Sequence, residues 1–303
     1  MTPEIAVLLS TYNGERFLAE QLDSVLAQSH APARVIVRDD GSSDQTEAIL
    51  ARYAADDGRF TVSGGANLGP VASFETLLRQ APECDLYAFC DQDDVWLPDK
   101  LANAVQTLAG RRQDQALLCC ARLDYVAADL SRIGLSPLPR ALGFGNALVE
   151  NVATGCTIVM NRAARELLLR HSWDGAMMHD SWAYLAVTGA GEAVYDPRPA
   201  VLYRQHGANT IGGSPGMAGQ LARRTARFVS RREKPVRYRD QAAAYRAAYG
   251  ESLPEKNRRV LDRFVDSGNS LRARLAYAAT MDVWRQTALD NLILRALIAA
   301  GQY

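Results

Sequence analysis

The first hundred residues alternate short apolar runs with amphipathic stretches of helical spacing. Ile5–Thr11 (IAVLLST) is apolar almost throughout and reads as a buried strand, followed by helical spacing over Glu15–Gln28. Arg34–Asp39 (RVIVRD) predicts a second strand, and Ser43–Ala55 a helix with a Ser/Asp-rich start. Phe60–Ser63 is a third short strand, Pro70–Arg79 a helix, and Asp85–Asp91 (DLYAFCD) a strand that runs into acidic residues. Pro98–Leu108 carries proline in the first turn of the next helix, where its missing N–H costs nothing. Strands alternating with helices predict an α/β fold with a mainly parallel sheet covered on both faces.

From Ala116 the rhythm changes. Leu117–Val126 and Val152–Asn161 read as strands separated by a Pro/Gly-bearing segment, Gly134 to Gly145. A helix is expected over Arg162–Arg170 and another near Asp180, with short strands at Val194–Tyr195 and Ala200–Arg204 around Pro197 and Pro199. The Gly/Ser/Asn/Pro-rich stretch Gly207–Gly219 marks the expected end of a catalytic domain over residues 1–212. Residues 213–303 then form a helical extension, without repeats or low-complexity sequence.

Composition narrows the function classes. The chain has 303 residues, 48% hydrophobic and 22% charged, with 34 basic and 34 acidic side chains, so bulk electrostatics do not favour nucleic acid. No basic leader precedes Ile5 and no apolar run approaches the roughly 20 residues of a bilayer span, so the expected place is the cytoplasm. Cys84, Cys90, Cys119, Cys120 and Cys156 lack metal-ligand spacing and read as reduced, buried thiols.

Candidate chemistry collects where strands end and helices begin, the ligand-binding edge of an open α/β sheet. Three polar clusters occur there: Ser10-Thr11-Tyr12-Asn13-Gly14, Asp39-Asp40-Gly41-Ser42-Ser43-Asp44 and Asp91-Gln92-Asp93-Asp94. At extended spacing Asp91 and Asp93 face one side, an oxygen-rich pair suited to Mg²⁺ or Mn²⁺; alone, such a pair is equally an acidic surface turn. GGSPG at Gly212–Gly216 satisfies a nucleophile motif literally but lies in a polar loop, and no Walker loop or HExxH is present.

Taken in order, LLSTYNGERFL (Leu8–Leu18), VRDDGSSDQT (Val37–Thr46), FCDQDDVWLPDKL (Phe89–Leu101) and MHDSWAYLAVTGAGEAVYDPRPAVLYRQHGANTIG (Met178–Gly212) resemble glycosyltransferase family 2, with its GT-A fold. Within it the chain is similar to the bacterial rhamnosyltransferase-like branch, over roughly residues 4–212. The resemblance implies a metal-dependent inverting transferase that moves a sugar from a dTDP- or UDP-sugar onto a hydroxyl of a glycan or lipid-linked acceptor. It places Thr11 and Asp39 at the nucleotide base, with Asn13 and Asp40 nearby, and Asp91 at the ribose and metal. It also implies Asp93 as metal ligand, His206 (YRQHG) as a further metal or diphosphate contact, and Asp180 (MHDSW) as catalytic base. His179 stands where Glu is more frequent, which leaves its role open. Two rivals remain: a sugar nucleotidyltransferase, which would want a Gly-rich basic loop after the first strand, and a catalytically silent nucleotide- or glycan-binding module.

Other residues carry two readings each. Trp96 and Trp182 line a sugar pocket or fill core, Gly155 and Cys156 admit the donor sugar or simply pack, and Lys100 and Arg204 contact phosphate or are solvated. Gln220–Arg239 holds Arg223, Arg224, Arg227, Arg231, Arg232, Lys234, Arg237 and Arg239 against Glu233, either a solvated face or a contact for an anionic membrane on the inner face. Ala288–Ala300 has apolar helical spacing and is expected to pack on the catalytic domain or a second subunit.

Overall fold

A computed structural model describes residues 2–205 and 238–303. The expected boundary after Gly212, His206 and the basic run from Arg223 to Arg237 lie outside the described residues.

The parallel half matches the alternation of the sequence. β1 (Ile5–Thr11), α1 (Leu18–Leu26), β2 (Arg34–Asp39), α2 (Thr46–Asp56), β3 (Phe60–Gly64), α3 (Gly69–Gln80) and β4 (Leu86–Cys90) follow in turn. β1 lies between β2 and β4, parallel to both, and β3 pairs with β2. The chain therefore leaves β1 to one side and later returns on the other. That reversal opens a crevice at the carboxyl ends of β1, β2 and β4, where the three polar clusters sit. Burial on both faces explains why β1 and β4 are apolar without alternation.

The remaining strands turn the sheet mixed. β5 (Val95–Trp96), α4 (Lys100–Leu108), β6 (Leu117–Val126), β7 (Arg132–Leu135), α5 (Phe144–Ala147), β8 (Val159–Asn161), α6 (Arg162–Leu168), α7 (His179–Ala190) and β9 (Glu192–Arg204) complete the order β3-β2-β1-β4-β8-β6-β9-β5, with β7 on β6. This curled sheet flanked by helices is the GT-A fold.

Two differences from the sequence reading have clear causes. The strand expected over Val152–Asn161 is only Val159–Asn161, because Gly155–Thr157 forms a 3₁₀ turn whose Gly155 N–H is directed at Asp180 instead of a ladder. The two short strands expected around Pro197 and Pro199 are one strand, β9. The prolines are accommodated by register shifts against β6 on both sides of Arg122, so their missing N–H groups interrupt no regular ladder.

After the undescribed segment come α8 (Tyr238–Tyr249), α9 (Glu255–Asp266), α10 (Leu271–Thr280) and α11 (Ala288–Ala300). They share a hydrophobic core with the sheet: Tyr245 and Tyr249 stack 4.9 Å apart, and Tyr245 meets Trp182 of α7 edge-on at 5.7 Å. Gly189 of α7 permits this approach, since a Cβ there would lie 2.3 Å from Tyr245 Oη. All five cysteines are free and buried.

Candidate active site

The first two clusters are laced into one another. Thr11 and Asp39 end adjacent parallel strands in register, and Thr11 Oγ1 donates to Asp39 Oδ1 at 2.9 Å. Asp39 also accepts from Ser42 Oγ and Ser42 N, which orients its carboxylate at the crevice edge. Asn13 adopts a left-handed φ of 48°, its N–H donates to Ser42 Oγ, and its Oδ1 accepts from Ser43 N. Asn13 thus fixes one loop on the other, a structural task that Asn tolerates at positive φ.

Asp40, expected near the nucleotide, has protein partners of its own. It forms a buried ion pair with Arg38 and accepts from Leu68 N and Gly69 N, holding the turn into α3. Asp39 and Asp40 are consecutive at a strand end, so one carboxylate faces the crevice loops and the other turns towards α3.

The third cluster is where charge concentrates. Gln92 clips the β1 loop: its Oε1 accepts from Tyr12 N and its Nε2 donates to Tyr12 O. Gly14 leaves room for this clip, since a Cβ there would fall 2.4 Å from Gln92 Oε1 and displace the Gln92 amide. Among the described residues, ligand-type atoms of Asp91, Asp94 and Cys156 lie within 4.8 Å of one another. Asp93, expected as the metal ligand, is not in that group, but its charge acts on both neighbours. Burial, then Asp93 and Asp180, push the Asp91 carboxyl up to about 7. Burial and the charges of Asp93 and Asp91 also push Asp94 well above the carboxylate range. Asp94 Oδ1 accepts from Arg204 N, while its buried Oδ2 has no partner.

This donor set fits a hard divalent cation. Asp91 and Asp94 are closely set carboxylates whose ionised forms lack compensation, and an orphaned carboxylate oxygen is the kind of ligand Mg²⁺ or Mn²⁺ takes. Cys156 is a poor third ligand, because burial pushes its thiol far up and keeps it protonated.

Two cations serve this floor, and neither is solvated. Lys100 is buried, its Nζ 3.3 Å from the centroid of the Trp96 ring and without a hydrogen-bond partner; burial lowers it to about 8. Arg204 is buried beneath the turn: Nε donates to Asp93 O, Nη1 to Ala128 O and Nη2 to Glu20 Oε2, with the guanidinium 4.3 Å above the Phe17 ring. Asp94 was named in its cluster without a role, and the Glu20–Arg204 pair escaped the sequence reading. The adjacent acid in DQDD was the only available signal for Asp94, and no spacing links residues so distant in the chain as Glu20 and Arg204.

Asp180 reaches the same floor from the first turn of α7. Its Oδ2 accepts from Gly155 N at 3.1 Å and its Oδ1 from Ser181 N at 2.6 Å. Burial nevertheless raises its carboxyl to about 6, and its charge is felt at Asp91. His179 turns inward, stacked 3.9 Å from Phe74 and edge-on to Phe89. Burial drops it to about 3, a neutral imidazole with neither ring nitrogen bonded. Trp96 and Trp182 are core residues.

A curled GT-A sheet carries an acidic strand end at its switch point, with the buried Asp180 carboxylate acting on Asp91 there. Residues 6–167, more than half of the chain, match Glycosyl transferase family 2, and the chain belongs to that family. It is 25% identical over 219 residues to the dTDP-rhamnosyl transferase RfbG of Shigella flexneri, covering 68% of this chain and 74% of that protein. It is 30% identical over 165 residues to the putative teichuronic acid biosynthesis glycosyltransferase TuaG of Bacillus subtilis, covering 52% of this chain and 62% of that one. Among solved structures it is similar to S. aureus TarS 1-349 in complex with UDP-GlcNAc (TM-score 0.58, 16% identity, 99% of this chain and 88% of that one). It is likewise similar to the mannosyltransferase PcManGT of Pyrobaculum calidifontis in complex with GDP-Man and Mn²⁺ (TM-score 0.52, 21% identity, 99% and 86%). At these identities the structural likeness establishes the fold alone.

Proposed function

We propose that this glycosyltransferase moves a sugar, with inversion, from a dTDP- or UDP-sugar onto a hydroxyl of a bacterial glycan or lipid-linked precursor, and that Asp180 is the base. The observation that carries the reading is the convergence of Asp180, from the start of α7 and held by Gly155 N, with Asp91 at the end of β4, where the Asp180 charge raises the Asp91 carboxyl. Thr11, Asp39 and the Asn13 loop form the nucleotide end, where Asp39 can accept from a pyrimidine N3–H and so favour uracil or thymine. Asp91 and Asp93, with Asp94 beside them, hold a divalent cation on this reading, and His206 completes that site. A bound cation supplies charge stabilisation to the departing diphosphate.

The step that this chain's own residues perform is proton removal. The acceptor hydroxyl forms a bond to the anomeric carbon while the bond to the diphosphate oxygen breaks and takes its electron pair. The hydroxyl proton passes to an Asp180 oxygen. Gly155 N–H and Ser181 N–H keep that carboxylate fixed. Rhamnose is the favoured sugar because RfbG, a dTDP-rhamnosyl transferase, aligns over two thirds of the chain. The catalytic unit is proposed to span residues 1–212, with 213–303 a helical extension docked on it.

Asp180→Asn is the test. Turnover should fall by about 10² to 10⁴, the usual worth of a positioned base, with donor affinity nearly unchanged. Near-normal turnover at saturating donor and acceptor would make Asp180 a helix-terminal residue only. UDP and dTDP should also raise the melting temperature more than GDP or ADP; equal shifts would remove the base-reading role of Asp39.

A further inference from the structure

We infer that α10 and α11 form a docking face for an anionic lipid surface, the helices lying on the membrane rather than crossing it. This face is built from residues other than the basic run after residue 220, all of them described.

The observation begins with α11. Its exposed positions are Ala288, Leu289, Leu292, Ala296 and Ala300, all apolar, while the polar Asn291 and Arg295 are half-buried. A surface helix of a water-soluble domain ordinarily shows polar residues there. On α10, Leu271 and Leu275 sit one turn apart, and these four leucines are each more than half exposed. The two helices run as an antiparallel hairpin: Arg274 Nε donates to Ala299 O, and Arg295 Nη1 donates to Ala278 O and Ala279 O. Tyr277, Leu294 and Ile298 enter one core, so the leucines on the opposite sides face outward together.

Charge selects the occupant. The hairpin carries Arg272, Arg274 and Arg295, and none has a carboxylate partner among the described residues. The nearby carboxylates are engaged elsewhere: Glu255 with Arg258 and Arg259, Asp262 and Asp266 with Arg246, and Asp282 with Arg263. Asp290 is buried and accepts from Thr287. An apolar face on a hairpin whose exposed Arg272, and the Arg274 and Arg295 that donate to backbone carbonyls, have no carboxylate partner complements anionic headgroups over acyl chains. A second copy docked on it would bring like charges together, which is unfavourable. With 13 residues, α11 is about 20 Å long, short of the roughly 30 Å hydrocarbon core, and no described helix is long and apolar enough to cross a membrane.

The proposal gives the glycan-assembly reading a place where a lipid-linked acceptor is found, but its test uses no sugar donor, so either can fail alone. The full chain is floated with phosphatidylglycerol/phosphatidylethanolamine vesicles and, separately, with pure phosphatidylcholine vesicles. Binding is expected to the anionic vesicles and to weaken on raising salt. Leu289→Gln with Leu292→Gln should weaken it by at least about 20-fold, and Arg272→Gln by about fivefold. These side chains are exposed, so unchanged melting temperatures should accompany the loss. Failure to bind anionic vesicles, or binding indifferent to the leucine pair, overturns the proposal. So does a dimer in light scattering that the leucine pair dissociates, which would assign the face to a second copy.

Discussion

Arg204 offers the sharpest quantitative test of how the acidic floor is built. Arg204→Met keeps an apolar side chain of similar reach over Phe17 but removes the donors to Asp93 O, Ala128 O and Glu20 Oε2. Glu20 is 57% exposed at its side chain, so water takes over its solvation and its loss counts for little. The two carbonyls are different: each, left without a donor, costs about 1–3 kcal/mol. Part of this is offset, because a buried guanidinium no longer has to be desolvated. The net expectation is a loss of about 2–4 kcal/mol, or about 4–8 °C in Tm at about 2 °C per kcal/mol for a chain of this size. Arg204→Lys keeps the charge but reaches fewer acceptors, so about half the loss is expected. The Asp93 carbonyl is also the anchor of the DQDD turn, so donor binding should weaken in both variants. Urea unfolding together with nucleotide titration reads both effects. A Met variant within 0.5 kcal/mol of the parent would mean that the carbonyls find water, and the account of the turn would be wrong.

Three further outcomes follow from the site. Gly155→Ala places a Cβ 2.6 Å from His179 Nε2, so the imidazole must leave its Phe74 stack and Asp180 shifts with it; kcat should fall at least about tenfold with donor KM within threefold, and equal loss of both would point to general unfolding. Asp40→Asn leaves Arg38 buried without its counter-charge and should cost about 3–5 kcal/mol in unfolding experiments, whereas a loss below 1 kcal/mol would show that the pair does not hold the turn into α3. Because burial raises Asp180 to about 6, the base form is lost as pH falls, and the rate should decline tenfold per unit below about 6 and level off above it; a profile flat from pH 5 to 8 would exclude it as the base. The sign for stability is opposite in use: the group's contribution is fully present below its unfolded value of 3.8 and is lost as pH rises through about 6.

The parallel half of the fold was legible because periodicity and strand-end polarity agree there. The runs Ile5–Thr11, Arg34–Asp39 and Leu117–Val126 coincide with β1, β2 and β6 at both ends. What was not legible depends on partners distant in sequence. Val95–Trp96 is a strand only because β9 lies beside it, and Arg132–Leu135 only because β6 does. The site shows the same division. The strand ends pointed to Thr11, Asp39 and Asp91 as polar residues at the crevice, and Asp180 came only from the family resemblance, but nothing in DDGSSD says which aspartate turns towards α3. Lys100 and Arg204 read as solvated or phosphate-binding cations because local sequence does not reveal a buried ring beneath one or Glu20 beside the other.

Environment separates the aspartates of this protein into two kinds. Asp57 is held below the usual carboxylate range by Arg59, and Asp44 too, where hydrogen bonds from Thr46 and Glu15 outweigh the upward push of burial. These carboxylates are saturated with donors and serve the fold. Asp91, Asp94 and Asp180 are raised chiefly by burial and lack enough donors to balance it. A fold keeps such costly groups together where ligands supply the missing compensation. The coupling between Asp91 and Asp180 then has a direction. The Asp180 charge opposes ionisation of Asp91, whereas Asp180 itself is raised by its burial against the hydrogen bonds from Ser181 N and Gly155 N.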